Sequence, residues 1–170
     1  ILLVLNNKSA VRSLYDIVKA RNISAEYLTT NLCAEHRSDR ICSIKEMLKG
    51  KKEKIVVIST NLIEAGVDIS FECVYRSMTG LDSLAQSAGR CNRSGEMDQE
   101  GMVYLIELEG ENIGNMEELQ QNSRETRSVM FQYNQDGNTD SLLMPKWMDQ
   151  YYEGIYRSAS DKMNFPVKAS

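Results

Sequence analysis

Four short apolar runs constrain this chain most: Ile1-Leu2-Leu3-Val4-Leu5, Ile55-Val56-Val57-Ile58, Cys73-Val74-Tyr75 and Met102-Val103-Tyr104-Leu105-Ile106. Each has the length of a buried strand, and Tyr27-Leu28 adds a shorter candidate between the first two. Between the runs the apolar positions change period. Val11, Leu14, Tyr15 and Val18 recur at helical spacing through Ala20, and Ile41, Ile44, Met47 and Leu48 stripe a helix from about Glu35. That helix closes near Gly50, with Lys49, Lys51 and Lys52 at its negative end. A further helix is predicted from Leu81 to about Gly89, before the strand that follows Gly101. Strands alternating with helices predict an α/β fold, a parallel sheet with helices on both faces.

Beyond Gly110 the character changes. A polar helix is expected near Met116 to Tyr133, then a loop at Gln135-Asp136-Gly137-Asn138, then an aromatic segment after Pro145 with Trp147, Tyr151, Tyr152 and Tyr156. Residues 1–134 are therefore assigned to the sheet domain, and 135–170 to a mostly helical extension or linker toward a further domain. At 170 residues a real core is expected, burying roughly 68–70% of the unfolded surface. The run Ile1–Leu5 has no methionine or basic stretch ahead of it and is far too short to span a bilayer, so it is expected to be a core strand of a piece of a longer chain, with no membrane partner. The cysteines Cys33, Cys42, Cys73 and Cys91 show no C-x-x-C spacing, and His36 is the sole histidine, so a reduced, cytoplasmic setting without a metal site is expected. The net charge of −4 argues against a generally basic surface, yet placed hydroxyls and amides can hold phosphates, so charge alone decides nothing about nucleic acid.

The most chemical stretch is Asp82 to Arg93, where Gln86, Gly89, Arg90 and Arg93 stand at Q-x-x-G-R-x-x-R spacing. Arginines three apart on a helix share a face, so both forks are expected to meet one anionic target such as the outer phosphates of a nucleotide. Alone, a helix arginine is usually a solvated surface residue; the register with Gln86 and Gly89 favours the phosphate. Past the third strand, Gly66 lets backbone approach a ligand, and Asp68 can accept from a ribose hydroxyl or orient an arginine. By itself Gly-Val-Asp-Ile is a turn; beside the arginine segment it becomes a coupling loop. Ser59 and Thr60 at the same strand end could donate to a nucleic-acid phosphate or N-cap the following turn, and the two roles are compatible. Asn7 and Lys8 occupy the equivalent place after the first strand. His36 with Arg37 is read as a helix-terminal surface pair.

Two motifs are absent. There is no G-x-x-x-x-G-K-[ST] phosphate loop and no D-E-x-[DH] segment for magnesium, since Gly50-Lys51-Lys52 lacks the first glycine and the hydroxyl. Half of an ATP site is expected elsewhere, and no ATP turnover is expected from this stretch alone.

The segments S-T-x-x-x-E-A-G-V-D-I-x-F from Ser59 to Phe71 and D-S-L-x-Q-x-A-G-R-C-N-R from Asp82 to Arg93 resemble the second, RecA-like motor domain of a superfamily-two helicase. More narrowly they are similar to the helicase-nuclease of type I CRISPR systems. The Arg-Cys-Asn-Arg ending separates them from DEAD-box helicases, where a glycine commonly precedes the last arginine. Leu28 to Arg37 and Gly110 to Gly114 look like the subtype I-C branch. The resemblance covers about the first 115 residues. Ser87 departs from it, since many superfamily-two members carry arginine there, which leaves a third arginine contact in question.

The resemblance implies an ATP-dependent translocase on single-stranded DNA in antiviral defence, with ATP and Mg2+ held mainly by a first motor domain. It implies Arg90 and Arg93 as fingers on the γ-phosphate, and Gln86, Gly66, Asp68 and Gly89 as nucleotide or coupling positions. Thr60, Ser59, Asn7 and Lys8 would hold the DNA backbone. The implied partners are the first motor and nuclease domains of the same protein and the CRISPR surveillance complex. The alternatives are another superfamily-two motor half acting on RNA or repair substrates, and a non-enzymatic fragment that binds partners or DNA.

Overall fold

The computed structural model describes residues 1–49, 54–64, 68–93, 95 and 101–159. They form two compact units, one of Ile1–Met78 with Ser83–Ile113, the other of Thr79–Asp82 with the chain from Gly114 onward.

The first unit runs β1 (Leu2–Val4), α1 (Lys8–Ala20), β2 (Ala25–Leu28), α2 (Ala34–Lys49), β3 (Val56–Ser59), a 3₁₀ turn (Asn61–Glu64), β4 (Cys73–Ser77), α3 (Leu81–Ala88, from Ser83 onward in this unit) and β5 (Met102–Ile106). Its five strands are all parallel in the order β2-β3-β1-β4-β5, with Leu3 in register with Ile58 on one side and Tyr75 on the other. The expected α/β sheet is therefore present. The pleat explains why the apolar runs are nearly continuous. Leu2, Val4, Val57 and Val74 pack with Ile44 of α2 on one face, while Leu5 and Ile58 pack with Val11 of α1 on the other. Each such aliphatic side chain withdrawn from water contributes about 1.5–3 kcal/mol.

Local signals set the limits of α1. Asn7 has extended backbone, and its Oδ1 accepts from Ala10 N at 2.7 Å, so it caps the amino end. At the other end Asn22 takes φ 57, where asparagine is tolerated, and its N–H bonds to Lys19 O at 2.9 Å. After β1 the chain crosses toward β2; after β3 it crosses the opposite way, past β1 to β4. The carboxyl ends of β1 and β3 thus flank the point where connections diverge, the usual ligand position in such sheets.

The second unit pairs α4 (Glu117–Gln135) with α5 (Pro145–Ala159). Proline at the first position of α5 loses no helical bond. Trp147, Tyr151 and Val129 are buried, and Tyr133 meets Trp147 edge-on at 5.4 Å. The Tyr151 hydroxyl donates to Asp82 Oδ1 at 3.0 Å, and burial first, then the Asp82 charge, raises its pKa above the ordinary tyrosine value. Gly80 is required beneath this contact, because a Cβ there would lie 2.3 Å from both Asp82 Oδ1 and the Tyr151 hydroxyl. Within this unit α4 packs with α5, and the buried residues of α4 are Ser123, Thr126 and Val129. No described helix is long and apolar enough to cross a membrane.

Candidate nucleotide and nucleic-acid site

The strand-end candidates lie where β1 and β3 finish, and their polar groups are unequally committed. Asn7, besides capping α1, donates Nδ2 to Asn112 O at 3.1 Å; Lys8 is exposed, with Nζ 2.9 Å from Asn31 Oδ1. Ser59 is fully buried, and its hydroxyl is placed to donate to Leu28 O (3.0 Å) and Thr60 O (2.8 Å), two acceptors for one proton. Thr60 enters the 3₁₀ turn through its carbonyl, which accepts from Ile63 N at 3.3 Å. Its own Oγ1 is buried and has no hydrogen-bond partner among the described residues. Of the two hydroxyls, only that of Thr60 retains its donor.

The arginine segment differs from the expected helix face. α3 ends at Ala88, Cys91 makes a parallel bridge with Phe71, and Asn92 takes φ 44 in the left-handed region. The chain leaves the helix through turn bonds from Arg90 N to Ser87 O (3.0 Å) and Cys91 N to Ala88 O (2.8 Å), and Phe71 N bonds to Arg90 O at 2.8 Å and Asn92 N to Phe71 O at 2.9 Å, so this stretch is pinned to Phe71 as a strap beyond the helix. The two arginines consequently do not share a helix face. Arg90 is 8% exposed and turns inward, donating Nε to Ile63 O at 2.9 Å and Nη2 to Glu64 O at 2.6 Å. It supplies the 3₁₀ turn with donors its carbonyls lack within the turn. Burial first, then the nearby Arg93 charge, lowers its pKa from the ordinary arginine value.

Arg93 stays at the surface. Its Nη1 lies 3.3 Å from Asp68 Oδ1, with the two side chains 42% and 81% exposed, and its N–H donates to Ser70 Oγ at 2.9 Å. Gln86 is exposed on α3. Gly89 follows it, where a Cβ would come within 3.3 Å of Gln86 O. Gly66 lies outside the described residues.

A buried polar network was missed in the sequence. Arg76 on β4 forms an ion pair with Glu64, Nε to Oε1 at 3.0 Å, with side chains 2% and 6% exposed. Its Nη1 donates to Asn6 Oδ1 at 2.8 Å, and its Nη2 to Ser83 Oγ at 3.0 Å. Glu64 also accepts from Ser83 Oγ at 2.9 Å and Ser87 Oγ at 2.8 Å. Glu111 closes the other side, accepting from Asn6 N at 2.5 Å, from Asn6 Nδ2 at 3.1 Å and from the Ser77 hydroxyl. The available signal was an arginine inside the strand run Val74-Tyr75-Arg76-Ser77, because a charge on a buried strand needs a partner. Ser83 and Ser87, four apart on α3, are the helix side of that partner set. Position 87 therefore faces the interior, and Ser87 answers the question of a third arginine contact by serving Glu64 instead.

An all-parallel sheet in this order, clad by helices on both faces, defines the RecA-like class of α/β domains. The model of the family described as "CRISPR-associated nuclease/helicase Cas3, C-terminal" matches residues 1–96, more than half of the chain. The chain belongs to that family and is a Cas3 helicase C-terminal domain. The Haloferax volcanii protein named CRISPR-associated nuclease/helicase Cas3 is 48% identical over 66 residues, 39% of this chain and 7% of that protein. The Methanothermobacter thermautotrophicus protein of the same name is 31% identical over 98 residues, 58% of this chain and 12% of that protein. Among solved structures, T. fusca Cas3 with ATP superposes with a TM-score of 0.72 at 14% identity, covering 95% of this chain and 22% of that one. A chain of a CRISPR RNA-guided surveillance complex, pre-nicking, gives 0.64 at 12% identity, covering 95% and 23%. These two likenesses establish the fold. The chain spans 7–15% of the length of the curated relatives it matches.

Proposed function

We propose that this domain is the second motor half of an ATP-dependent single-stranded DNA translocase acting in CRISPR interference, an antiviral defence. The observation that carries the reading is the exposed Arg93–Asp68 pair: a guanidinium at the surface beside a solvated carboxylate can exchange that carboxylate for phosphate oxygens. On closure against the first motor domain, Arg93 leaves Asp68 for the γ-phosphate of ATP. Arg90 joins it only by giving up its bonds to Ile63 and Glu64. Gln86, Gly89, Gly66 and the released Asp68 report nucleotide state to the closure. Thr60 Oγ1, with Asn7 and Lys8, holds the DNA backbone, and Ser59 keeps the strand end in shape for them. Such contacts position the strand without reading bases.

Magnesium would be held mainly by the first motor domain and would offset the charge of the ATP phosphates. Among the described residues no group of three or more histidine, cysteine or acidic side chains is placed to hold a metal ion. The nuclease domain and the surveillance complex complete the proposed partners, and residues 135–170 are assigned to the path toward a further domain. The T. fusca Cas3 structures include ones with ADP, ATP and AMPPNP, which supports the nucleotide.

The test uses the full-length protein with single-stranded DNA. Arg93→Ala should lower ATP turnover by about 10³-fold or more while leaving folding and DNA affinity unchanged, and Arg93→Lys should recover little, because a point charge lacks the planar fork. Near-normal turnover by folded Arg93→Ala at saturating DNA would remove the finger. The isolated domain should show no DNA-stimulated ATPase.

A further inference from the structure

We infer that Glu64 is the positioning residue for the arginine segment, a role that rests on the motor reading above. Two different parts of this one residue hold that segment. Its carboxylate takes the Ser83 and Ser87 hydroxyls of α3, which fixes the helix leading into Gly89 and Arg90. Its main-chain carbonyl takes Arg90 Nη2 at 2.6 Å. The carboxylate cannot drift, because Arg76 is ion-paired to it from the neighbouring β4 and is itself tied to Asn6 at the end of β1. Asn6 precedes Asn7, and Glu64 ends the turn that begins just after Thr60, so the strand-end phosphate candidates and the arginine segment are joined through a single buried acid. A displacement of the 3₁₀ turn would move Arg90 and α3 together, and with them the strap that carries Arg93.

The arrangement differs from simple core filling in one respect. Glu64 bonds to Arg76, Ser83, Ser87 and Arg90, so its effect on hydrolysis passes through placement of the arginine segment, and it should appear in kcat.

The experiment uses the full-length protein, with Glu64→Gln and Ser87→Ala measured alone and in the Arg93→Ala background. Glu64→Gln keeps size and one acceptor but cannot serve Arg76, Ser83 and Ser87 together. Ser87→Ala removes one donor and serves as the second variant should Glu64→Gln fold poorly. With folding checked by thermal melting, kcat should fall by up to about 10²-fold, the scale of an ångström's misplacement, with less loss in Ser87→Ala. The KM for ATP and the affinity for single-stranded DNA should stay within about twofold, the signature of an interaction made only in the transition state. In the Arg93→Ala background the fold-loss in kcat from either variant should be smaller than in the parent protein, with what remains passing through Arg90, since residues acting through one segment are non-additive. Unchanged kcat in both folded variants, or losses that multiply with Arg93→Ala, would overturn the positioning role. Normal turnover by Arg93→Ala alone would instead withdraw the finger reading beneath it, and the two failures are told apart by that single variant.

Discussion

Two arginine–carboxylate pairs in the sheet unit use the same chemistry in opposite surroundings. Arg76–Glu64 lies in the interior at 3.0 Å, with serine, asparagine and main-chain groups taking up the remaining donors and acceptors. Arg93–Asp68 lies at the surface at 3.3 Å, and water competes for both partners. A buried pair is costly to assemble and more costly to break singly, because the orphaned charge stays in a low-dielectric site. An exposed pair contributes about 0–1 kcal/mol and is readily traded for another anion. The contrast separates two uses of one chemistry: the interior pair holds a geometry, and the surface pair, in the function proposed above, lends a cation.

The largest break in that contrast should come from Glu64→Ala, which strands Arg76. A loss of about 3–5 kcal/mol of stability is expected in urea or guanidinium unfolding. A loss below about 1 kcal/mol would show that the interior pair behaves like a surface one. Ser87→Ala should be next, at about 1–3 kcal/mol, since it leaves a buried carboxylate oxygen one donor short. The smallest effect belongs to Asp68→Ala, expected within about 1 kcal/mol and fading in 1 M salt, where the Debye length shrinks to about 3 Å. Strong destabilisation by Asp68→Ala that survives high salt would erase the distinction.

The second unit offers a check by pH. Tyr151 is a buried neutral phenol on Asp82, and its raised pKa means that the native state keeps a proton the unfolded state loses above about pH 10. Its contribution is fully present below that pH and is lost as pH rises further, because the unfolded state then binds fewer protons. Alkaline unfolding should be milder in Tyr151→Phe than in the parent protein, relative to each one's stability at neutral pH.

What the sequence by itself determined is the sheet and its clothing. Strands buried on both faces must be continuously apolar, so β1 and β3 were legible as runs, and α1 and α2 as helical stripes between them; β5 was legible as a run too, although at the sheet edge it leaves Met102 and Tyr104 exposed. The strand-end positions of Asn7 and Thr60 followed from the same reading. Tertiary structure alone decided the rest. The spacing of Arg90 and Arg93 resembles a helix repeat, yet the helix ends at Ala88 and the bridge from Cys91 to Phe71, a residue twenty positions upstream, pins the turns that follow, with one arginine inward and the other outward. Arg76 and Glu64 are twelve residues apart in sequence and on different elements, so no local pattern pairs them; only the parallel crossover from β3 to β4 does. Likewise α4 joins α5, with Tyr133 of one edge-on to Trp147 of the other, a matter of packing partners rather than propensity. Periodicity reports which face of an element is buried, but a long-range contact is chosen by the whole fold, and there the sequence is silent until the chain is closed on itself.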